Sequence, residues 1–221
     1  MNTHTQTFLS KVLCAGLFAG LVASAPLKAD EWLKFGAGLH LANPSGDLTD
    51  EKKLSTKVKM GFGLSVFGEM GLNDKMALRG RVDYNIFGEG EKKESGKYDA
   101  DTWSETYTMN ANATTVFADF IYRFDSHEKG LYAFAGLGLV NCKISWEEKD
   151  QWTYDGTPLT EKYSGSESGS NFGFSLGLGY NLTKNMGLEA SYTTASDVIK
   201  PKESDKKFGY DAMQVSFKFR F

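Results

Sequence analysis

Charged residues alternate with apolar residues in several short stretches of the chain, and this spacing could bring the charged side chains together in one site. In a β-strand, successive side chains point to opposite faces, so each stretch would place its charges on one face and its apolar residues on the other. A charged face of this kind could form a network of buried ion pairs, or it could line a narrow path for ions or water. The candidate residues are Lys34, Lys59, Glu69, Arg79, Arg81, Asp83, Asp119, Arg123, Glu189, Lys218 and Arg220.

Histidine next to serine would instead indicate hydrolytic chemistry. His40 lies on the polar face of its predicted strand, and Ser65 follows on the next strand. Neither a His-x-Ser pair nor a Gly-x-Ser-x-Gly motif accompanies His40, and a lone histidine is more often a hydrogen-bonded filler. We therefore expect no enzyme, no catalytic residue, no metal and no cofactor. A lipid-modifying enzyme acting through His40 is the weakest of the alternatives.

The last nine residues show the strand pattern most clearly. From Met213 to Phe221, apolar residues occupy every odd position and polar residues every even position. In a soluble sheet the apolar face would meet a core, whereas in an outer-membrane barrel it would meet lipid while the charged face points into the lumen. This strand alone does not choose between the two environments.

The N-terminus indicates export. Residues 1–29 have the pattern of a secretory signal peptide, with Lys11 before an apolar run from Val12 to Ala25 and small residues after it. The run is too short and too rich in Gly and Ala for a spanning helix. We expect cleavage after Ala29, which leaves residues 30–221 as the mature domain.

Charge and cysteine content narrow the class further. Cleavage would remove Lys11 and Lys28 but no acid, so 23 basic and 28 acidic residues would remain, with a formal charge of −5. This mildly acidic balance argues against a nucleic-acid partner. Cys142 would be the only cysteine left, which excludes an intrachain disulfide.

Eight alternating strands are predicted along the mature chain, joined by connections that are long and short in strict turn. The fifth strand changes the phase of its apolar residues, which suggests a bulge near Leu139 and Val140. An exported chain with this loop asymmetry and a charged second face predicts an all-β fold, an eight-stranded antiparallel up-and-down transmembrane β-barrel. A soluble lipocalin-like barrel is the main alternative, but its inward face should be apolar. The long polar connections are residues 43–56, 88–108, 147–168 and 197–209.

Three segments carry a resemblance to a known family. They are residues 132–138 (YAFAGLG), residues 177–183 (GLGYNLT) followed by Gly187-Leu188-Glu189, and the C-terminal residues 217–221 (FKFRF). With them, the mature chain resembles the small eight-stranded outer-membrane barrels of the OmpA transmembrane domain, OmpX and opacity-protein type. The resemblance implies the outer membrane of a Gram-negative-type bacterium, contact with its lipid, and a monomer. It also implies that Phe217, Phe219 and Phe221 form the signal recognised by the barrel-assembly machinery.

Function would then depend on the lumen or on the long connections. The connections are rich in acids and carry Tyr and Trp, so they could bind a basic partner or Ca²⁺, or make adhesive contacts with an extracellular partner. We expect a structural or surface-interaction role for the barrel through these connections. A narrow, weakly selective pore is the first alternative, and an excess of bases in the lumen would then favour anions.

Overall fold

A computed structural model of the chain describes residues 33–51, 54–98, 101–125, 129–154, 157–200 and 207–221. The predicted signal peptide lies outside the described residues. Residues Lys34–Phe221 form one compact unit. Among the described residues, no helix has the length and apolarity needed to cross a membrane. The strands are β1 (Leu33–Ser45), β2 (Lys59–Gly71), β3 (Met76–Gly88), β4 (Gly90–Tyr98), β5 (Asp101–Arg123), β6 (Gly130–Tyr154), β7 (Thr157–Asn181), β8 (Met186–Ile199) and β9 (Phe208–Arg220), and a 3-10 helix spans Gly46–Thr49.

The strands form a closed antiparallel ring. Hydrogen bonds join them in the order β3-β2-β1-β9-β8-β7-β6-β5, and an additional β3–β5 pairing closes the circle. The ring contains eight strands, because β4 lies outside it and pairs with the distal part of β5. The prediction of an eight-stranded up-and-down barrel is confirmed.

A band of exposed apolar side chains surrounds the ring. Alternation along each strand turns these residues outward, as in β7, where Phe172 is 78% exposed while Ser175 is fully buried. Large apolar side chains that face away from a core on every strand need lipid as their environment. The band includes Phe35, Leu39, Leu41, Phe62, Leu64, Val66, Leu78, Val82, Phe120, Leu137, Leu176, Leu178, Leu188, Met213 and Val215.

Two of the long polar connections are not loops. Strand β4 pairs with the distal part of β5, and β6 and β7 continue together as far as Tyr154 opposite Thr157. Residues 88–108 and 147–168, expected to be polar connections between the ring strands, therefore contain paired strands themselves. Thr, Tyr and Trp are frequent in these segments, and such residues favour strands even where no core covers them.

These prolongations make a four-stranded sheet that continues beyond the ring. We call it the blade, and define it as residues 90–98, 101–108, 146–154 and 157–165, in the order β4-β5-β6-β7. The register of β6 with both neighbours is continuous from the ring into the blade. The blade is thus an extension of the barrel wall.

Short turns close the opposite end of the barrel. After β2, the backbone N–H groups of Lys75 and Met76 both donate to the side-chain oxygen of Asn73 at 2.9 Å. After β7, the Thr183 hydroxyl accepts from Met186 N–H at 3.0 Å. Side chains of this kind replace missing backbone partners and hold a chain reversal tight.

The interior of the barrel has two chemically different halves. The half beside the short turns is charged, whereas the half beside the blade is an apolar cluster that includes Val140, Cys142 and Ile144. The predicted bulge near Leu139 and Val140 is wrong, because β6 keeps one register with β5 and β7 throughout. The apolar phase changes because the lumen itself changes from polar to apolar along the strand.

The segment after β1 folds into the apolar half. Gly46 has φ +59°, and a Cβ there would lie 2.3 Å from Asp211 Oδ2, so a glycine is needed for the chain to turn at this point. Leu48 on the 3-10 helix is fully buried, and Val58 N–H donates to its carbonyl at 3.1 Å. With Leu54, these residues pack into the apolar cluster and form a plug, defined here as Leu48, Leu54 and Val58. Val58 lies just before β2, which begins at Lys59.

Candidate functional site

The charged half of the lumen is organised around Arg79. Its Nε donates to Asp119 Oδ2 at 2.9 Å, and its guanidinium also pairs with Glu189. Glu189 in turn accepts from the Tyr132 hydroxyl at 2.7 Å and lies 3.6 Å from Lys218 Nζ. All five side chains are buried. Buried charges are tolerated only when they are paired and hydrogen-bonded, and this group meets that condition.

Further pairs extend the network toward both ends. Arg81 lies 3.1 Å from Asp83 and 3.2 Å from Asp119, while the Arg123 guanidinium pairs with Glu69 nearer the short turns. Phe134 lies under the guanidinium of Arg79, whose Cζ is 4.5 Å from the ring centroid. The network and the surrounding rings lie inside the lumen, as expected for an eight-stranded barrel, whose interior is just wide enough for side chains.

Nine of the predicted lumen residues are buried in this network, and two are not. Lys59 is exposed, because the β2–β3 register shifts between Lys59 and Phe62 and reverses the phase of the strand. Lys34 is only partly buried, since it lies two residues before the first β1–β9 pair, Gly36 with Arg220. The buried members are Glu69, Arg79, Arg81, Asp83, Asp119, Arg123, Glu189, Lys218 and Arg220.

His40 lies inside the barrel, as predicted. Its Nε2 lies 2.8 Å from Asn85 Oδ1, and its side chain is 4% exposed. The Ser65 hydroxyl instead accepts from Lys218 Nζ at 3.1 Å. His40 is thus enclosed by the barrel wall and hydrogen-bonded to Asn85, and this geometry gives no support to lipid-modifying chemistry.

Phe217 and Phe219 lie on β9, which pairs with β1, and Phe221 follows directly after this strand. Phe219 is 43% exposed, Phe221 is 78% exposed, and the Phe217 and Phe219 rings meet edge to face at 4.7 Å between centroids. The backbone N–H of Phe221 donates to Phe35 O at 3.0 Å. Their role as an assembly signal stays a prediction.

The two faces of the blade differ in composition. Directly paired residues lie on the same face, so the register assigns every side chain. The face continuous with the lumen, called here the inner face, carries Lys92, Glu94, Asp101, Trp103, Glu105, Tyr107, Trp146, Glu148, Asp150, Trp152, Leu159, Glu161 and Tyr163. The outer face carries mainly hydroxyl and lysine side chains, namely Glu91, Lys93, Ser95, Lys97, Thr102, Ser104, Thr106, Thr108, Glu147, Lys149, Gln151, Thr153, Thr160, Lys162 and Ser164.

The inner face is arranged in rows that cross all four strands. One row pairs Glu94 with Glu105, Glu105 with Asp150, and Asp150 with Glu161, so that four acids stand directly opposite one another. We call this the acid row. Like charges directly opposite are destabilising, so the acid row lowers the stability of the blade.

Aromatic residues border the acid row on both sides. On the tip side the pairs are Gly96 with Trp103, Trp103 with Trp152, and Trp152 with Leu159. On the barrel side Tyr107 and Tyr163 flank Glu148. Trp103 lies over Gly96, where an added Cβ would be 2.5 Å from the indole nitrogen, yet it remains 43% exposed. The indole thus lies against the sheet with one face open.

Like charge accumulates around Glu148. Carboxylate oxygens of Glu105, Glu148 and Asp150 lie within 4.8 Å of one another. Partial burial, and then the neighbouring Asp150 and Glu105 carboxylates, raise the pKa of the Glu148 carboxyl. Lys92 is the one base on this face among the described residues, and it forms a 2.8 Å ion pair with Glu94. The inner face therefore presents an excess of negative charge.

A family model of the outer membrane protein beta-barrel domain matches residues 14–221. The chain belongs to this family. It is an outer-membrane protein of Gram-negative-type bacteria, and its exposed apolar band contacts lipid. In barrels of this membrane the short turns are periplasmic and the long connections extracellular, so the blade of this outer-membrane barrel lies outside the cell.

Several solved structures of outer-membrane proteins are similar to this chain at low identity. Ail, the attachment invasion locus protein of Yersinia pestis, is 14% identical with a TM-score of 0.46, over 86% of this chain and 97% of that one. Neisserial surface protein A is 17% identical with a TM-score of 0.43, over 86% and 97%. OprG from Pseudomonas aeruginosa is 13% identical with a TM-score of 0.37, over 86% and 95%. No curated protein sequence matches significantly.

Proposed function

We propose that this outer-membrane barrel is a surface-interaction protein, adhesin-like in its action, that contacts an extracellular partner through the blade. The observation that supports the proposal is the segregation of the blade's faces, with aromatic and acidic residues on one and hydroxyl and lysine residues on the other. A merely solvated connection has no reason to separate these residue types. Exposed aromatic side chains that keep one face open are typical of contact surfaces.

The buried part of the barrel is consistent with a contact surface that lies on the blade and not in the lumen. The charged network and the plug occupy the lumen, and their side chains are internally paired or packed. The lumen therefore supplies a rigid support, while the groups available to a partner lie on the blade.

The proposal is tested by shortening the blade. Glu91 is paired with Thr108, and Glu147 with Ser164, so two-residue Asn-Gly turns can replace residues 92–107 and 148–163 without breaking the register below. Bacteria displaying the shortened barrel should attach to cultured epithelial cells and to immobilised matrix proteins at the level of an empty-vector strain. Retained heat-modifiable migration on a gel would show that the shortened barrel still folds. Attachment equal to that of the full chain would leave only a structural role.

The pore alternative makes an opposite prediction. We expect the refolded barrel to give no discrete conductance steps in a planar bilayer, because buried side chains fill both halves of the lumen. The variants Arg79→Ala, Arg81→Ala and Arg123→Ala serve as probes of the path. Steps whose size or ion preference changes with these variants would make the lumen the working site.

A further inference from the structure

We propose that the inner face of the blade binds an extended, arginine-rich polypeptide segment, which lies along the acid row between the two aromatic rows. The inference rests on the proposed surface-interaction function and names the class of its partner. It depends on three features of the inner face: its charge, the position of its aromatic rings, and its size.

The negative charge of the inner face favours a cationic ligand. The acid row sets four carboxylates in line across the sheet, and Glu148 adds a further one on the barrel side. Direct opposition of like charges is unfavourable within the free protein, so a cation laid along the row would relieve repulsion as well as form new pairs. The outer face, with Lys93, Lys149 and Lys162, would repel the same ligand.

The aromatic rings select guanidinium over ammonium. Trp103 and Trp152 border the acid row on one side, and Tyr107 and Tyr163 border it on the other. A guanidinium is planar, so it can stack on an indole face while it donates two hydrogen bonds to a carboxylate. A lysine ammonium would gain the charge contact without the stacked, bidentate arrangement. The Tyr163 hydroxyl already donates to Glu161 at 2.5 Å, which holds that carboxylate at the end of the row.

The size of the inner face favours a short polypeptide segment over a folded protein domain as the ligand. Four strands at a spacing of about 4.8 Å give a row of about 15 Å, and the strand length from Trp146 to Trp152 is about 20 Å. An area of this order is well below the roughly 800 Å² that each partner contributes to a standard protein interface. It suits an extended stretch of about five residues, which spans at most about 16 to 18 Å.

The test uses the full-length barrel in nanodiscs of zwitterionic phosphatidylcholine, with an octaarginine peptide as the probe and tryptophan fluorescence as the readout. Glu105→Gln removes one charge from the acid row, and Glu147→Gln removes the same charge from the outer face. We expect Glu105→Gln to weaken binding about fivefold or more, and Glu147→Gln to change it less than about twofold. Because Glu105→Gln also relieves repulsion, it should not unfold the blade, so that weaker binding would report a lost contact.

A second pair of variants tests the rings. Trp103→Ala should weaken octaarginine binding by about fivefold, whereas Thr102→Ala, its neighbour on the outer face, should not. Octalysine should bind less tightly than octaarginine. Equal effects of Glu105→Gln and Glu147→Gln, equal binding of the two peptides, or no binding of octaarginine would each overturn the inference.

Attachment assays separate this inference from the proposed function. If Glu105→Gln and Trp103→Ala bind no less octaarginine, while shortening the blade abolishes attachment to cells, the surface-interaction function holds and the partner is of another class. If octaarginine binds as expected but bacteria with the shortened barrel attach normally, the inner face does bind basic segments, and the proposed attachment function is refuted.

Discussion

Replacing Arg79 with methionine should lower the free energy of unfolding of the barrel by about 3–5 kcal/mol, because it leaves the carboxylates of Asp119 and Glu189 buried without their shared cation. Methionine keeps much of the volume, so the loss reflects charge more than packing. Arg81 and Lys218 stay near these two acids at 3.2 and 3.6 Å, which limits the loss but does not remove it. Urea unfolding of the protein in lipid vesicles measures the change.

A matched control and a rescue make the result specific. Lys93→Met breaks a 2.8 Å pair with Glu91 in which both side chains are well exposed to solvent, so we expect no measurable loss of stability. Adding Asp119→Asn to Arg79→Met should recover a large part of the stability, since Arg81 then keeps Asp83, Lys218 keeps Glu189, and the buried charges balance again. A loss below 1 kcal/mol for Arg79→Met alone would contradict the assignment of this arginine as the centre of the network.

Replacing Leu48 with alanine should open the plug and expose it to protease. Leu48 is fully buried in the apolar cluster, and truncation of a buried leucine costs about 2–5 kcal/mol. Lys57 lies in the same segment with a side chain 60% exposed, so trypsin cleavage there reports detachment of the segment. When opening is fast compared with cleavage, the cleavage rate follows the open population, and we expect an increase of about 30-fold or more.

The control for the plug is Leu72→Ala. Leu72 lies in a short turn and is 45% exposed, so its truncation should leave cleavage at Lys57 unchanged. Barrel folding can be followed in parallel by heat-modifiable migration, because the ring does not depend on the plug for its hydrogen bonds. Equal cleavage of Leu48→Ala and the unchanged protein would show that Leu48 does not hold the segment in the lumen.

The ring was predictable because lipid and lumen impose a strict period of two on the sequence. On β9, Met213, Val215 and Phe219 face outward while Gln214, Ser216 and Lys218 are buried, as the alternation predicted. The acids and bases of the lumen followed from the same period. Lys59 could not be placed correctly, because a single register shift reverses which face a strand residue occupies and leaves no trace in the residue types.

The apolar half of the lumen was misread for a physical reason. Val140, Cys142 and Ile144 changed the phase of hydrophobicity, and a polar lumen would have required a bulge to explain it. The structure keeps one register and instead fills the lumen with the plug, whose Leu48 comes from a distant polar connection. Local pattern cannot show that a segment folds back into the barrel.

The blade was missed because both of its faces are polar enough to be taken for loops. Along its strands, aromatic and acidic residues alternate with hydroxyl and lysine residues, so the usual alternation of apolar with polar residues is missing. Trp103, Glu105 and Tyr107 occupy alternate positions on β5, and Thr102, Ser104 and Thr106 occupy the positions of the other face. Trp146, Glu148, Asp150 and Trp152 repeat the pattern on β6. A search for aromatic residues at alternate positions would have found the strands, and pairing them would have found the acid row.

The continuous register of β6 from the ring into the blade has a mechanical consequence. A partner that pulls on the blade from outside the cell applies its force along the strands, toward a barrel held in the membrane. The hydrogen bonds between β6 and its two neighbours run across that direction, so they share the load in shear and do not separate one after another. We expect an attachment made through this blade to fail at the contact with the partner before the blade tears from the wall of the barrel.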